Sequence, residues 1–228
     1  MRFSPLRQPQ FTNRASELPD KPSTFARVAA DDATRDVLAL AHHCGAKGWI
    51  PATSGNFSVR VDAARAAITA SGGDKAKLTA DGVVIADING PAHVRASAEA
   101  PLHLALYRLS PDIGAVAHVH SMAATLASLQ FQKDGRIRLE GLELLKAFRG
   151  VATHEAALDI PIFDNTQDMD GLALVVEKRL KTAPRGFGFL LAGHGLYAWG
   201  RDAGDTLRHL DAFDYLFTLV LKLKGIAL

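Results

Sequence analysis

Ala115-Val-Ala-His118-Val-His120-Ser121-Met-Ala-Ala-Thr-Leu-Ala-Ser-Leu129 is the stretch on which the fold turns. Ala115 to His120 reads as an apolar strand, and Ser121 to Leu129 as the helix that leaves it. Successive side chains of a strand alternate faces, so His118 and His120 point the same way while Val119 turns into the core.

The flanking segments keep the same rhythm. Toward the N-terminus lie a helix over Leu102–Leu109, short strands at Val83–Ala86 and into Thr69, and an alternating strand of Phe57, Val59 and Val61. Before them Val37, Leu38, Ala41 and Cys44 recur at helical spacing from a cap at Asp31 or Asp32 until Gly45 and Gly48. Toward the C-terminus Leu142, Leu145 and Phe148 mark one face of a helix, Ile160–Phe163 a strand, and Leu172, Val175, Val176 and Leu180 another helix. Two apolar strands, Phe187–Ala192 and Leu196–Trp199, are separated by Gly193-His194-Gly195. Ala203–Lys224 closes the chain as a helix with Leu207, Leu210, Phe213, Phe217 and Val220 toward the core. Helices and strands alternate without a repeat, which argues for one α/β domain over residues 31–228, its sheet packed by helices. Spacing alone leaves the strand order open.

Composition narrows the function classes. The 228 residues are 48% hydrophobic and 22% charged, as in a globular protein large enough for its own core. A net charge of +2 is far from the clustered positive field that nucleic acid requires. The longest apolar run, near the C-terminus, is broken by Thr218 and Lys222 and is too short to span a bilayer. Cys44, the single cysteine, permits no intrachain disulfide and reads as a buried thiol of a reducing compartment. Residues 1–30, with Pro5, Pro9, Pro19 and Pro22 among polar residues, read as a flexible arm, and no apolar secretory segment follows Arg2, Arg7 and Arg14. The cytoplasm is the expected location.

Chemistry concentrates in a few places. Two imidazoles on one strand face can converge on a single ion, although the same pattern fits two hydrogen-bonded histidines without one. His194, between two glycines in a tight turn, is a third candidate, and three imidazoles with an open position are the arrangement of catalytic zinc. Thr53-Ser-Gly-Asn56 and Ser71-Gly-Gly-Asp-Lys75 offer hydroxyls, free N–H groups and a lysine, the makings of an anion nest or of ordinary turns. Ser97 reads as the N-cap of the helix that Glu99 opens, and Glu140 and Glu143 open another, where acidic residues commonly serve the helix dipole. His42, His43, His93, His103, His154 and His209 read as structural or surface residues.

In this order, Thr53-Ser-Gly-Asn56, Thr69-Ala-Ser-Gly-Gly-Asp-Lys75, Ser97-Ala-Glu99, His118-Val-His120 and Gly193-His-Gly195 resemble the class II aldolase-like superfamily from about Asp31 to the C-terminus. The resemblance implies a mixed, largely antiparallel sheet flanked by helices. It implies one Zn2+, or another divalent ion, per subunit on His118, His120 and His194. It also implies a phosphorylated ketose held at Ser54, Gly55, Asn56, Ser71, Gly72, Lys75 and Ser97, and a homo-oligomer, commonly a tetramer with sites near subunit interfaces.

Within the superfamily, Glu140-Gly-Leu-Glu143-Leu-Leu-Lys146, Ile160-Pro-Ile-Phe-Asp-Asn-Thr-Gln-Asp168 and Gly193-His-Gly-Leu-Tyr-Ala-Trp-Gly200 are similar to methylthioribulose-1-phosphate dehydratases. That likeness implies a hydro-lyase of methionine salvage, with Glu143 as catalytic acid/base and Glu99 as the second candidate carboxylate. Ala98 stands where the aldolase motif carries a second serine. A sugar-phosphate aldolase or epimerase with the same metal is the main alternative. A non-catalytic, adducin-like relative would have lost metal ligands, and here all three histidines stand.

Overall fold

The computed structural model describes residues 30–91, 93–182 and 186–227, so the N-terminal arm read above lies outside them except for Ala30, which opens the first helix. Its first helix, α1 (Ala30–Ala46), buries Val37, Leu40, Ala41 and Cys44, an i, i+3, i+4, i+7 stripe. Three strands follow: β1 (Asn56–Arg60), β2 (Arg65–Thr69) and β3 (Val83–Asp87). Next come α2 (Ala100–Leu109), β4 (Ala115–Val119), α3 (Met122–Gln130), β5 (Arg136–Glu140) and β6 (Ala157–Phe163). The chain ends with α4 (Met169–Thr182), β7 (Gly188–Leu191), β8 (Gly195–Gly200) and α5 (Ala203–Leu223).

The strands form one eight-stranded sheet in the order β3-β2-β1-β4-β8-β7-β6-β5. Every neighbouring pair is antiparallel except β6 and β7. Alternation along each strand feeds two cores. Phe57, Val59, Ala115, Ala117, Val119, Leu196 and Ala198 meet α1, α3 and α5 on one face, where Phe213 and Phe217 are fully buried. Ile68, Val116, Phe189 and Tyr197 meet α2 and α4 on the other, with Leu102, Leu106 and Val176. Each fully buried phenylalanine stabilises the fold by roughly 1.5–3 kcal/mol, so both faces hold the sheet.

The closing helix starts where Asp202 accepts a hydrogen bond from the Asp205 N–H at 2.7 Å, and α3 where Ser121 accepts from the Ala124 N–H at 3.3 Å. Two sequence readings need correction. Helix α2 begins at Ala100 with Glu99 in the cap position, while the Ser97 hydroxyl only accepts from the Glu99 N–H at 3.3 Å. Glu140 opens no helix; it ends β5, and Glu143–Ala147 is a short 3-10 turn. Strand β5 gives no apolar run in the sequence because its outward residues, Arg136, Arg138 and Glu140, are charged, as suits an edge strand, and only Ile137 and Leu139 are buried.

Candidate metal centre and its carboxylate

The antiparallel register gathers one end of the sheet into a site. His118 on β4 lies opposite Asn56 on β1 and opposite Tyr197 on β8, so the three side chains share a face. The Tyr197 ring stacks on the His118 imidazole at 4.1 Å between centroids. His120 lies just past β4, its N–H donating to the Trp49 carbonyl at 2.8 Å. His194 occupies the turn between β7 and β8, with Gly193 at φ +66° before it. Gly195 follows because a Cβ there would stand 2.3 Å from the Val119 carbonyl oxygen.

The three Nε2 atoms converge. That of His118 lies 2.8 Å from His120 Nε2 and 3.3 Å from His194 Nε2. A carbonyl oxygen only accepts, so the His118 Nδ1–H donates to Leu196 at 3.1 Å and leaves Nε2 its lone pair. His194 Nδ1 is likewise turned to Asn165 Oδ1 at 3.2 Å. Burial holds His118 neutral, its pKa pushed down to about 3, and pushes that of His120 down to about 4. Three imidazoles with converging Nε2 atoms, those of His118 and His194 anchored through the far nitrogen, form the donor set of a divalent cation that takes nitrogen ligands.

Glu99 closes the cluster from the cap of α2. Its carboxylate lies 3.2 Å from His118 Nε2 and 3.1 Å from His194 Nε2. It also accepts from Asn56 Nδ2 at 2.7 Å and from the Tyr197 hydroxyl at 2.9 Å. Burial pushes the carboxyl up, but the charge His118 takes on when protonated, with hydrogen bonds from His194 and Asn56, outweighs it and holds the carboxyl well below the usual carboxylate range.

The two glycine-containing loops sit at the same end. The backbone of Ala52, Thr53 and Gly55 is left-handed, at φ 51°, 66° and 80°, just before β1. A Cβ on Gly55 would lie 2.9 Å from the His118 carbonyl oxygen, so that loop presses on the histidine strand. The Ser54 hydroxyl is buried without a hydrogen-bond partner among the described residues. Ser71 and Gly72 leave the end of β2, and the Ser97 N–H is tied to Thr69 O at 3.0 Å.

A family model for the Class II Aldolase and Adducin N-terminal domain matches residues 35–221. The chain belongs to the class II aldolase and adducin family. It is 55% identical to the methylthioribulose-1-phosphate dehydratase of Parvibaculum lavamentivorans, over 86% of this chain and 96% of that one. The dehydratase of Sorangium cellulosum is 42% identical, over 90% of this chain and 96% of its own. Among solved structures, the l-fuculose-1-phosphate aldolase of Thermus thermophilus superposes with a TM-score of 0.67 at 25% identity, over 83% of this chain and 93% of that one.

Against this class II aldolase frame, several expected site residues stand apart. Lys75 is turned inward: its ammonium donates to the carbonyls of Gly72 and Gly73, so it braces the loop from within. The Asn56 amide is taken up by Glu99 and His103. Glu143 is exposed on its turn, 2.5 Å from Lys146 Nζ and 3.6 Å from His154 Nδ1, and the Lys146 hydrogen bond holds its carboxyl below the usual range. Glu99 therefore meets the histidines of its own chain, and the described contacts of Glu143 do not include them. The sequence reading gives no role to Tyr197 or Asn165 and takes His103 as structural or surface. Polar residues at every second place of β1, Asn56, Ser58 and Arg60, all buried, were the available signal that this face meets something polar.

Proposed function

We infer that the chain is a hydro-lyase that dehydrates 5-methylthioribulose 1-phosphate to 2,3-diketo-5-methylthiopentyl 1-phosphate, a step of methionine salvage. The near full-length likeness to methylthioribulose-1-phosphate dehydratases carries this reading. His118, His120 and His194 would hold one Zn2+ per subunit, or another divalent cation, which when bound supplies Lewis-acid polarisation of the ketose carbonyl and makes the adjoining C–H acidic.

The chain does the rest. Glu99, ionised and held by Asn56 and Tyr197, accepts the proton from the carbon beside the carbonyl. The hydroxyl on the next carbon leaves as water with a proton from a second group, and the resulting enol ketonises. We assign that second group to Glu143, contributed by a neighbouring copy in a homo-oligomer, a tetramer on our reading. Glu143 borders an apolar groove of about 830 Å³ between its turn and α5, with Leu142, Leu144, Tyr215 and Leu219 in its walls. A second copy covering Leu144 and Tyr215 would bury them, and Tyr215 is 59% exposed in one chain. Ser54, Gly55, Ser71, Gly72 and Ser97 hold the substrate phosphate, with the charge of Lys75 behind the loop.

One observation favours a second reading. The carboxylate against the histidines is Glu99, which by the superfamily resemblance falls where other members place either a substrate-contacting cysteine or the aldolase glutamate. Incubation with 5-methylthioribulose 1-phosphate separates the two. Water and a 2,3-diketone support the dehydratase, whereas an aldehyde with dihydroxyacetone phosphate overturns it in favour of the aldolase.

A further inference from the structure

Glu99 and the residues His103 and Tyr107 stand four apart along α2, facing Asn56, Ser58 and Arg60, two apart along β1. Four helical residues rise about 6 Å and two strand residues about 6.7 Å, so the rows keep step and interlock. His103 Nε2 lies 2.6 Å from Asn56 Oδ1, and its Nδ1 lies 2.7 Å from Ser58 Oγ. Ser58 Oγ lies 2.8 Å from the Tyr107 hydroxyl. Arg60 seals the far end, its guanidinium 4.7 Å over the Tyr107 ring and donating to the carbonyls of Tyr107, Ser110 and Ile113.

The donors and acceptors allow one direction. Asn56 gives its Nδ2 to Glu99, so its Oδ1 faces His103 and must accept. His103 therefore carries its proton on Nε2. Full burial keeps the ring neutral, so Nδ1 accepts from the Ser58 hydroxyl, which in turn accepts from Tyr107. Each bond points toward the carboxylate.

We propose that His103 is a positioning residue: as the Nε2–H tautomer, set by Ser58 and Tyr107, it fixes the Asn56 amide, and Asn56 holds Glu99 over the three histidines. With the opposite tautomer a ring lone pair would face Asn56 Oδ1, and a turned amide would aim its oxygen at the Glu99 carboxylate. The proposal rests on Glu99 as the proton acceptor.

Glutamine at 103 can place an N–H near the Nε2 position, whereas asparagine can replace only the Nδ1 end. His103→Asn should lower kcat by about tenfold to a hundredfold, the usual effect of losing an outer-shell partner. KM and bound metal should stay unchanged, and His103→Gln should recover most of the loss. Nitrogen-15 NMR of the wild-type holoenzyme at neutral pH should show the His103 proton on Nε2. Equal losses in both variants mark a merely structural histidine and overturn the proposal. So does a wild-type ring protonated on Nδ1, a reading that stands even if neither variant folds. Full turnover by Glu99→Gln overturns the reading of the carboxylate itself; loss in Glu99→Gln with none in His103→Asn overturns only the positioning role.

Discussion

Glu99 and Glu143 show how environment assigns work to two residues of one type. The first is enclosed by two imidazoles, an amide and a phenol, and the second sits in solvent beside a lysine. A carboxylate needs a partner within hydrogen-bond reach to move a proton, and geometry is the first filter. Glu99→Gln keeps shape and hydrogen-bonding reach but loses the base. Turnover should fall by ~10² or more, with the metal content of the purified protein unchanged. Glu143→Gln should reduce turnover as well, without disturbing the histidines. Steady-state kinetics with metal analysis checks both, and near wild-type turnover in Glu99→Gln would remove it from the chemistry.

Among the elements, the seam between β4 and β8 sets the metal centre. Gly195 lets the His194 turn lie against the end of β4, since a side chain would meet Val119 O at 2.3 Å and His118 Cε1 at 3.2 Å. Gly195→Ala should destabilise the protein by roughly 1–3 kcal/mol, the usual range for overpacking, and weaken metal retention. Thermal melts and metal titration read both effects, and wild-type retention would mean the seam yields more than the packing allows.

The seam of α2 with β1 carries a pH signature. His103 is fully buried, and burial lowers its pKa to about 4 from an ordinary 6.5. The unfolded chain thus binds this proton more tightly than the folded one. The associated stability is present above the unfolded value and is lost as pH falls through the window toward the folded value. At about 1.4 kcal/mol per pH unit the loss is roughly 3 kcal/mol. Urea midpoints of the metal-stripped protein should therefore drop between neutral pH and pH near 5, and a flat profile would contradict a neutral buried His103.

At the scale of the whole molecule the question is which chain completes which site. If Glu143 serves a neighbour, chains carrying His118→Ala and chains carrying Glu143→Gln are each inactive alone but regain activity when co-expressed. Mixed oligomers then contain sites with intact histidines and an intact Glu143. His118→Ala with Glu99→Gln should not recover, because those two residues meet within one chain. Recovery in the second mixture, or none in the first, would refute the subunit-crossing assignment.

Much of the fold is legible in the sequence alone. The stripes of α1 and α5 and the apolar runs of β4, β7 and β8 report burial directly, because each element must turn one face inward. His118-Val-His120 announced a shared face, since the period of a strand is local. Local patterns determined the elements, the alternation and the three candidate ligands. They could not give the strand order, the charged edge strand β5, or the partners of Glu99 and Glu143. Those depend on antiparallel register, which sets Asn56 and Tyr197 beside His118 from positions 62 and 79 residues away in sequence. They depend too on the matched rise of α2 and β1, which turns a histidine of no distinctive motif toward the carboxylate. Periodicity is a property of neighbours along the chain; which carboxylate meets the histidines is a property of packing, and only tertiary structure decided it.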